Sequence, residues 1–153
     1  MNTVLKETKM ESENNLIVTE YHDPSVFDML SQPWNHLTTL CSTNTPFLTW
    51  QWQKLWWNYW NQDRHLRIIT LSEESGKLCG IAPLYLEETK EGKKLKLLGS
   101  SDLCDYLDFI VTKGEEAHFY HTLLSYLTSS CTEKTTLCLN SLQQNSPTLS
   151  FFK

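Results

Sequence analysis

The sequence lacks a hydrophobic run long enough to cross a membrane, and it lacks the glycine patterns typical of phosphate-binding loops. No apolar stretch approaches the roughly 18 residues that a transmembrane helix needs. The N-terminal stretch MNTVLKETKMESENN is polar and has no apolar core of the signal-peptide type. The 5 glycines stand apart from one another, and neither a nucleophile elbow nor a heptad seam is present. We therefore expect a cytoplasmic protein without a membrane span.

Paired cysteines and large basic clusters are also missing. The 5 cysteines are an odd number and show no C-x-x-C spacing, which argues against a disulfide scaffold and against a zinc site. The formal net charge is −5, and most lysines and arginines are scattered. Electrostatics therefore gives no support to nucleic-acid binding. We predict no metal site and no nucleic-acid partner.

The hydrophobic patterns that are present predict an α+β fold. Residues 1–14 are expected to form a flexible tail and residues 15–153 one domain. The predicted elements, in chain order, are a strand at 16–21, a helix that starts at Asp23 and is divided by Pro33, a helix at 49–61, strands at 65–71, 78–88, 95–99 and 106–111, a helix at 114–130 and a strand at 135–140. Short glycine-bearing turns between the middle strands predict a mostly antiparallel sheet with helices packed on it.

Two further predictions concern Pro83 and the C-terminal residues. Pro83 lies inside the strand predicted at 78–88 and cannot donate to a ladder, so we expect a bulge there or an edge strand. The C-terminal residues SLQQNSPTLSFFK stop where an apolar element begins. This pattern favours a domain truncated at its C-terminus over a complete one.

The segment FLTWQWQKLWWNYW, at residues 47–60, holds five of the chain's 6 tryptophans. On a helix capped by Thr49, one stripe would face the core; it contains Trp52, Leu55, Trp56, Tyr59 and Trp60. Trp50 and Trp57 would lie seven residues apart on the polar back of that helix. Exposed indoles indicate a surface that is covered by a substrate, by a partner or by another part of the same protein. We predict that this pair binds a partner, with a sugar acceptor as the alternative.

Several short patterns, in this order along residues 16–150, resemble the N-terminal half of GNAT-type acyltransferases of the FemAB-like, CelD-like group. They are W-x-x-L (Trp34 to Leu37), P-F-x-x-x-x-W (Pro46 to Trp52), W-W (Trp56 and Trp57), G-x-x-P-L-Y (Gly80 to Tyr85), L-x-L-L-G (Leu95 to Gly99) and D-Y-x-D (Asp105 to Asp108). The resemblance implies a GNAT-like sheet that forms one half of a two-lobed fold. It also implies acetyl-CoA or another acyl-CoA as the donor, and an amine or hydroxyl acceptor.

The acyl-CoA loop of that family resembles Q-x-x-G-x-G/A, and none of this chain's glycines has that context. The chain therefore resembles the acceptor-side half, with the donor site expected elsewhere, and whether it is an enzyme by itself stays open. The implied partners are a second GNAT-like half or another copy of the chain, and a small-molecule or sugar acceptor. The alternative is a non-catalytic GNAT-like module that binds through the tryptophan-rich helix.

Three carboxylates, Asp102, Asp105 and Asp108, lie at intervals of three residues, with Tyr106 between the last two. Asp102 and Asp105 are expected to cap turns, while Tyr106 and Asp108 would point to the same side of a strand. In an acyltransferase a carboxylate can orient or deprotonate the acceptor, and a tyrosine can protonate the leaving thiolate. Asp105, Tyr106 and Asp108 are therefore the catalytic candidates, with turn capping and a solvated strand face as the alternative interpretation.

Overall fold

The strands form one mixed sheet in the computed structural model, which describes residues 15–100, 103–131 and 133–152. The strands are β1 (Ile17–Tyr21), β2 (Arg64–Ser72), β3 (Leu78–Thr89), β4 (Gly92–Leu97), β5 (Ile110–Val111) and β6 (Thr135–Cys138). Their order is β1-β2-β3-β4-β6, and β5 pairs with β3 beside β4. All pairs are antiparallel except β4 with β6. The prediction of an α+β fold with a mostly antiparallel sheet is confirmed.

Helices cover both faces of this sheet. They are α1 (Val26–Met29), α2 (Ser31–Leu40), α3 (Trp50–Trp60), α4 (Glu116–Ser130) and α5 (Pro147–Phe151), with a 3₁₀ turn at Pro46–Leu48 before α3. Alternating residues of β2 point to opposite faces, so Ile68 packs with α1 to α3 while Ile69 packs with α4. Parallel neighbouring strands need a crossover connection, and α4 provides it between β4 and β6.

The predicted irregularity at Pro83 takes a different form. Pro83 lies opposite Ile68 in a regular stretch of the β2–β3 ladder, and the register shift is at Leu71/Ser72 instead. The prediction of a bulge or an edge strand at Pro83 is therefore wrong. The proline is tolerated because β3 exchanges neighbours here: Ile81 pairs with β5, and Leu84 is the first residue that pairs with β4. On the β4 side, the amide of Leu98 donates to the carbonyl oxygen of Pro83 at 2.8 Å. The carbonyl oxygen of Leu98, for which proline has no N–H, accepts from Nε2 of Gln53 at 3.3 Å instead.

The strand predicted at 106–111 is shorter than expected. Only Ile110 and Val111 are in a strand, because the preceding backbone amides bond elsewhere. The amide of Leu107 donates to the carbonyl oxygen of Ser141 at 2.9 Å, and the amide of Phe109 donates to the Asp108 carboxylate at 2.8 Å. These bonds attach the segment before β5 to the C-terminal residues rather than to the sheet.

Three further predictions concern Pro33, the N-terminal residues and Asp102. The first helical region is divided into α1 and α2, as predicted, with Pro33 in the first turn of α2. The predicted tail at 1–14 and the predicted cap at Asp102 lie outside the described residues. Among the described helices, none has both the length and the apolar character that a membrane crossing requires.

Candidate functional site

The tryptophan helix α3 begins as predicted but turns a different face to the core. Thr49 is its N-cap and accepts from the amide of Trp52 at 3.4 Å. The buried residues of the helix are Gln53, Trp56 and Trp57, whereas Leu55, Tyr59 and Trp60 are 52%, 68% and 43% exposed. The predicted core stripe is therefore right for Trp56, partly right for the half-buried Trp52, and wrong for the other three.

The buried face of α3 includes the side chain of Gln53. Its Nε2 donates to the carbonyl oxygens of Phe47 at 2.8 Å and Leu98 at 3.3 Å. Its Oε1 is buried and has no hydrogen-bond partner among the described residues, so only the donor half of this amide is satisfied. A pattern that counts glutamine as a solvent-facing residue consequently places the helix in the wrong orientation.

The two tryptophans predicted to bind a partner or a sugar lie against the core. Trp57 is 5% exposed and belongs to the cluster between the sheet and α1 to α3. Trp50 is half-buried against the same cluster, and the Lys54 ammonium lies 5.6 Å from the centre of its ring. The prediction that this pair forms an exposed surface is wrong, because the rotation of α3 carries both rings inward.

The exposed apolar surface of α3 lies instead on the predicted core stripe. Leu55, Tyr59 and Trp60, together with Leu103, surround a small apolar pocket of about 220 Å³ based on Trp52 and Trp56. We call this surface the aromatic face. Exposed apolar groups gathered in one patch are typical of interaction sites.

The three catalytic candidates separate in the structure. Asp105 is exposed and Tyr106 is 50% exposed, but Asp108 is 2% exposed. The prediction that Tyr106 and Asp108 share one side is wrong, because residues 106–109 are not in a strand and do not alternate as strand residues do. Asp108 is therefore unable to contact a substrate, and only Asp105 and Tyr106 remain accessible to one.

Asp108 anchors the C-terminal segment. Its carboxylate accepts hydrogen bonds from the hydroxyl groups of Ser146 and Thr148, and the Thr148 hydroxyl also bonds the hydroxyl of Tyr120 at 2.9 Å. Burial raises the pKa of Asp108, and the hydrogen bonds from Ser146, Thr148 and Phe109 oppose that shift. Burial likewise raises the pKa of Tyr120. These groups form a polar network that fixes α5 to α4.

This anchoring creates a groove beside Tyr106. The groove is lined by Tyr106, Thr45, Gln143, Gln144 and Asn145 and has a volume of about 720 Å³. The Thr45 hydroxyl donates to the carbonyl oxygen of Tyr106 at 3.4 Å, and the bonds of Leu107 and Asp108 to the C-terminal segment hold residues 143–145 opposite. We call it the amide groove. Its lining carries no charged side chain.

Sequence reasoning did not find the amide groove. The run Gln143, Gln144, Asn145 is visible in the sequence, but nothing in its spacing places it next to residue 106. The link is the pair of tertiary contacts made by Leu107 and Asp108 to residues 141 and 146.

Helix α4 follows the central strands in the chain, and its N-terminus is unsuited to binding a phosphate group. Glu116 lies in its first turn, Glu115 precedes it, and the amide of Gly114 donates to the Glu116 carboxylate at 2.7 Å. Phosphates bind helix N-termini through free amides and the positive end of the dipole. Here the carboxylates of Glu115 and Glu116 lie at the start of the helix and would repel a second anion.

Comparisons with known proteins do not decide the family. The chain matches no protein-family model and no curated protein at a significant level. Within the residues that the structure describes, no group of three or more histidine, cysteine, aspartate or glutamate side chains is arranged to hold a metal ion.

Proposed function

We propose that this chain is the acceptor-side half of a GNAT-type acyltransferase of the FemAB-like, CelD-like group. It would hold a sugar-bearing acceptor whose amine or hydroxyl receives an acyl group from acetyl-CoA or another acyl-CoA. The observation that carries the proposal is the amide groove, which is lined by the half-exposed Tyr106 and by three neutral amide side chains. Asp105 is exposed directly before that tyrosine.

The chemistry of the groove suits a sugar. Amide side chains donate and accept hydrogen bonds at once, as vicinal hydroxyl groups also do. The tyrosine ring offers a face for the apolar side of a pyranose. An uncharged lining favours a neutral polyol over a phosphate or a carboxylate, because it offers no cation to pair with an anion.

Asp105 and Tyr106 have defined parts in the proposed reaction. With an acyl donor held by the second half, Asp105 would be placed to take the proton that the acceptor amine or hydroxyl loses, and the Tyr106 hydroxyl to donate a proton to the leaving thiolate of the donor. Asp108, by contrast, is a positioning residue that holds residues 143–145 opposite the ring.

Two further observations support the assignment to an acceptor-side half. The mixed sheet, in which one helix crossover adds a parallel strand to an antiparallel meander, is compatible with a GNAT-like unit. The acidic start of α4 disfavours a bound pyrophosphate at the helix terminus next to the sheet. The donor is accordingly proposed to bind to a second half.

Saturation-transfer NMR with a panel of amino sugars and N-acetylated sugars tests the acceptor site. At least one sugar is expected to receive saturation from the protein, with the strongest transfer to the protons on one ring face. Tyr106→Ala and Gln143→Ala are expected to abolish the signal. Tyr59→Ala is the matched control, because Tyr59 is also an exposed tyrosine but lies on the aromatic face.

The same samples test whether the chain alone can transfer an acyl group. Mass spectrometry of the best-bound amino sugar incubated with the chain and acetyl-CoA is expected to show no acetylated product. Product formation by the chain alone would contradict the assignment to one half. A panel in which no sugar binds, or in which Tyr106→Ala binds as well as the parent, would contradict the acceptor site.

A second candidate function is favoured by the aromatic face. In this alternative the chain is a non-catalytic GNAT-like module, and the aromatic face packs against a second GNAT-like half. Leu55, Tyr59 and Trp60 are large apolar side chains on consecutive turns of one helix. Aromatic side chains of this kind often form the energetic centre of interfaces.

Dye binding and sedimentation test this second candidate. The isolated chain is expected to bind a hydrophobic dye or to self-associate, and a Leu55→Ser/Tyr59→Ser variant is expected to lose both properties. Asn58→Ser is a matched control on the same helix. If the double variant behaves as the parent does, the aromatic face is not an interaction surface.

A further inference from the structure

A second cleft lies on the opposite side of the sheet from α3, where α4 ends and leaves part of the sheet uncovered. It has a volume of about 500 Å³, and its floor includes His65 and Arg67 of β2, Leu86 of β3 and Lys93 of β4. The register places His65 directly opposite Leu86. The basic groups therefore lie on both sides of an apolar centre.

The floor of this cleft is held rigid by a buried ion pair. Arg67 donates from Nε and Nη2 to the two carboxylate oxygens of Glu20, and the two side chains are only 12% and 9% exposed. Tyr126 donates its hydroxyl proton to the same carboxylate. Burial alone would raise the pKa of Glu20, but the bonds from Arg67 and Tyr126 outweigh it and lower the pKa.

The cleft is lined by two carboxylates, Glu20 and Glu133, as well as by basic groups, and each carboxylate is paired with a cation. A guanidinium has five N–H groups, and within the described residues Arg67 uses two on Glu20 and one on the Cys131 sulfur at 3.7 Å. The Glu20 carboxylate is already occupied. The other acid, Glu133, is 66% exposed at the rim, where it pairs with Lys93 at 2.8 Å; it can exchange that contact for water at little cost.

From the Arg67 N–H groups that these contacts leave over, we propose that the cleft binds the oxyanion of a small organic acid, a carboxylate or a phosphate monoester. The remaining N–H groups of Arg67 receive the oxyanion, and His65 lies two residues away on the same face of β2. Leu86 contacts the carbon skeleton, and Lys93 pairs with the acid from the β4 side. Bidentate recognition of this kind is what a planar guanidinium provides.

The site is separate from the amide groove in ligand chemistry. The amide groove has no charged lining residue, whereas this cleft contains arginine, lysine and histidine. Binding here consequently does not depend on the acyltransferase proposal, and either proposal can fail without the other.

Two-dimensional amide NMR of the whole chain tests the proposal with succinate and inorganic phosphate as probes, each compared with chloride at equal ionic strength. Shifts are expected at residues 65, 67, 86 and 93 with at least one probe. Lys93→Met is expected to weaken the affinity about tenfold, as the loss of one charge-assisted contact implies. Lys94→Met is the matched control, because Lys94 follows on the same strand and pairs with Glu91 at 2.7 Å.

Each result decides the proposal. Shifts with succinate alone identify a carboxylate ligand, and shifts with phosphate alone identify a phosphate monoester. His65→Ala is a second variant with an intact Glu20–Arg67 pair, and it is also expected to weaken binding. Shifts that chloride reproduces, or equal losses in Lys93→Met and Lys94→Met, would overturn the proposal.

Discussion

The Nε2 atom of Gln53 donates to the carbonyl oxygen of Phe47 at 2.8 Å. In this orientation of α3, Trp57 lies in the core and Tyr59 in solvent. Both the composition of the core and the position of the aromatic face depend on the orientation of the helix.

Replacement of Gln53 tests the contribution of its buried side chain. Gln53→Ala is expected to lower the free energy of unfolding by roughly 1–3 kcal/mol. It removes the donor to the buried carbonyl oxygen of Leu98 and to the part-buried one of Phe47 and opens a cavity, although loss of the unpartnered Oε1 offsets part of the cost. Urea denaturation measures the loss. Asn58→Ala, at an exposed position of the same helix, should change stability by no more than about 0.5 kcal/mol. Equal effects of the two substitutions would contradict a stabilising role for the buried Gln53 side chain.

The buried position of Trp57 gives a second stability prediction. Trp57→Ala is expected to destabilise the chain by about 3–5 kcal/mol, as the removal of a large core side chain does. Tyr59→Ala, two residues later and 68% exposed, should cost far less. Thermal unfolding followed by circular dichroism compares the variants. A larger loss of stability in Tyr59→Ala than in Trp57→Ala would instead support the helix orientation predicted from the sequence, with Tyr59 in the core and Trp57 exposed.

Gly80 allows the closest approach between the sheet and α4. A β-carbon at this position would lie 2.3 Å from a ring carbon of Phe119, so Gly80→Ala is expected to destabilise by about 1–3 kcal/mol through overpacking. Gly80→Ala should cost less stability when Phe119→Leu is also present, because the ring that the new β-carbon would meet is then absent. A double-mutant cycle from denaturant unfolding measures the coupling, and strictly additive effects would contradict the contact.

Asp108 gives a pH-dependent prediction. Because burial raises its folded-state pKa above the ordinary value of 3.8, the folded protein binds a proton more tightly than the unfolded chain does. The stability gained from this proton is fully present below pH 3.8. It is lost as the pH rises from there through the folded-state pKa.

Asp108→Asn removes this titration while leaving the other acids in place. The stability of the variant relative to the parent is therefore expected to rise with pH across the interval just above 3.8 and then to level off. Chemical denaturation at a series of pH values measures the difference. A difference that does not change with pH would show that Asp108 titrates alike in the folded and unfolded chains.

The sequence was sufficient for the elements that depend on local patterns. The strands β2 and β3, the Thr49 cap and the helix before β6 were all predictable, because patterns among neighbouring residues indicate them. The orientation of α3 was not, because the helix buries Gln53 together with Trp56 and Trp57, a face that the hydrophobic pattern does not select. The amide groove was not predictable either, since it depends on Asp108 reaching Ser146 and Thr148, far along the chain.

The claim that this chain supplies the acceptor side and not the donor site is tested most directly by calorimetric titration with acetyl-CoA. The account predicts no saturable heat at micromolar concentrations, because Glu115 and Glu116 disfavour a phosphate at the start of α4. Saturable binding with a dissociation constant on the order of micromolar would contradict it.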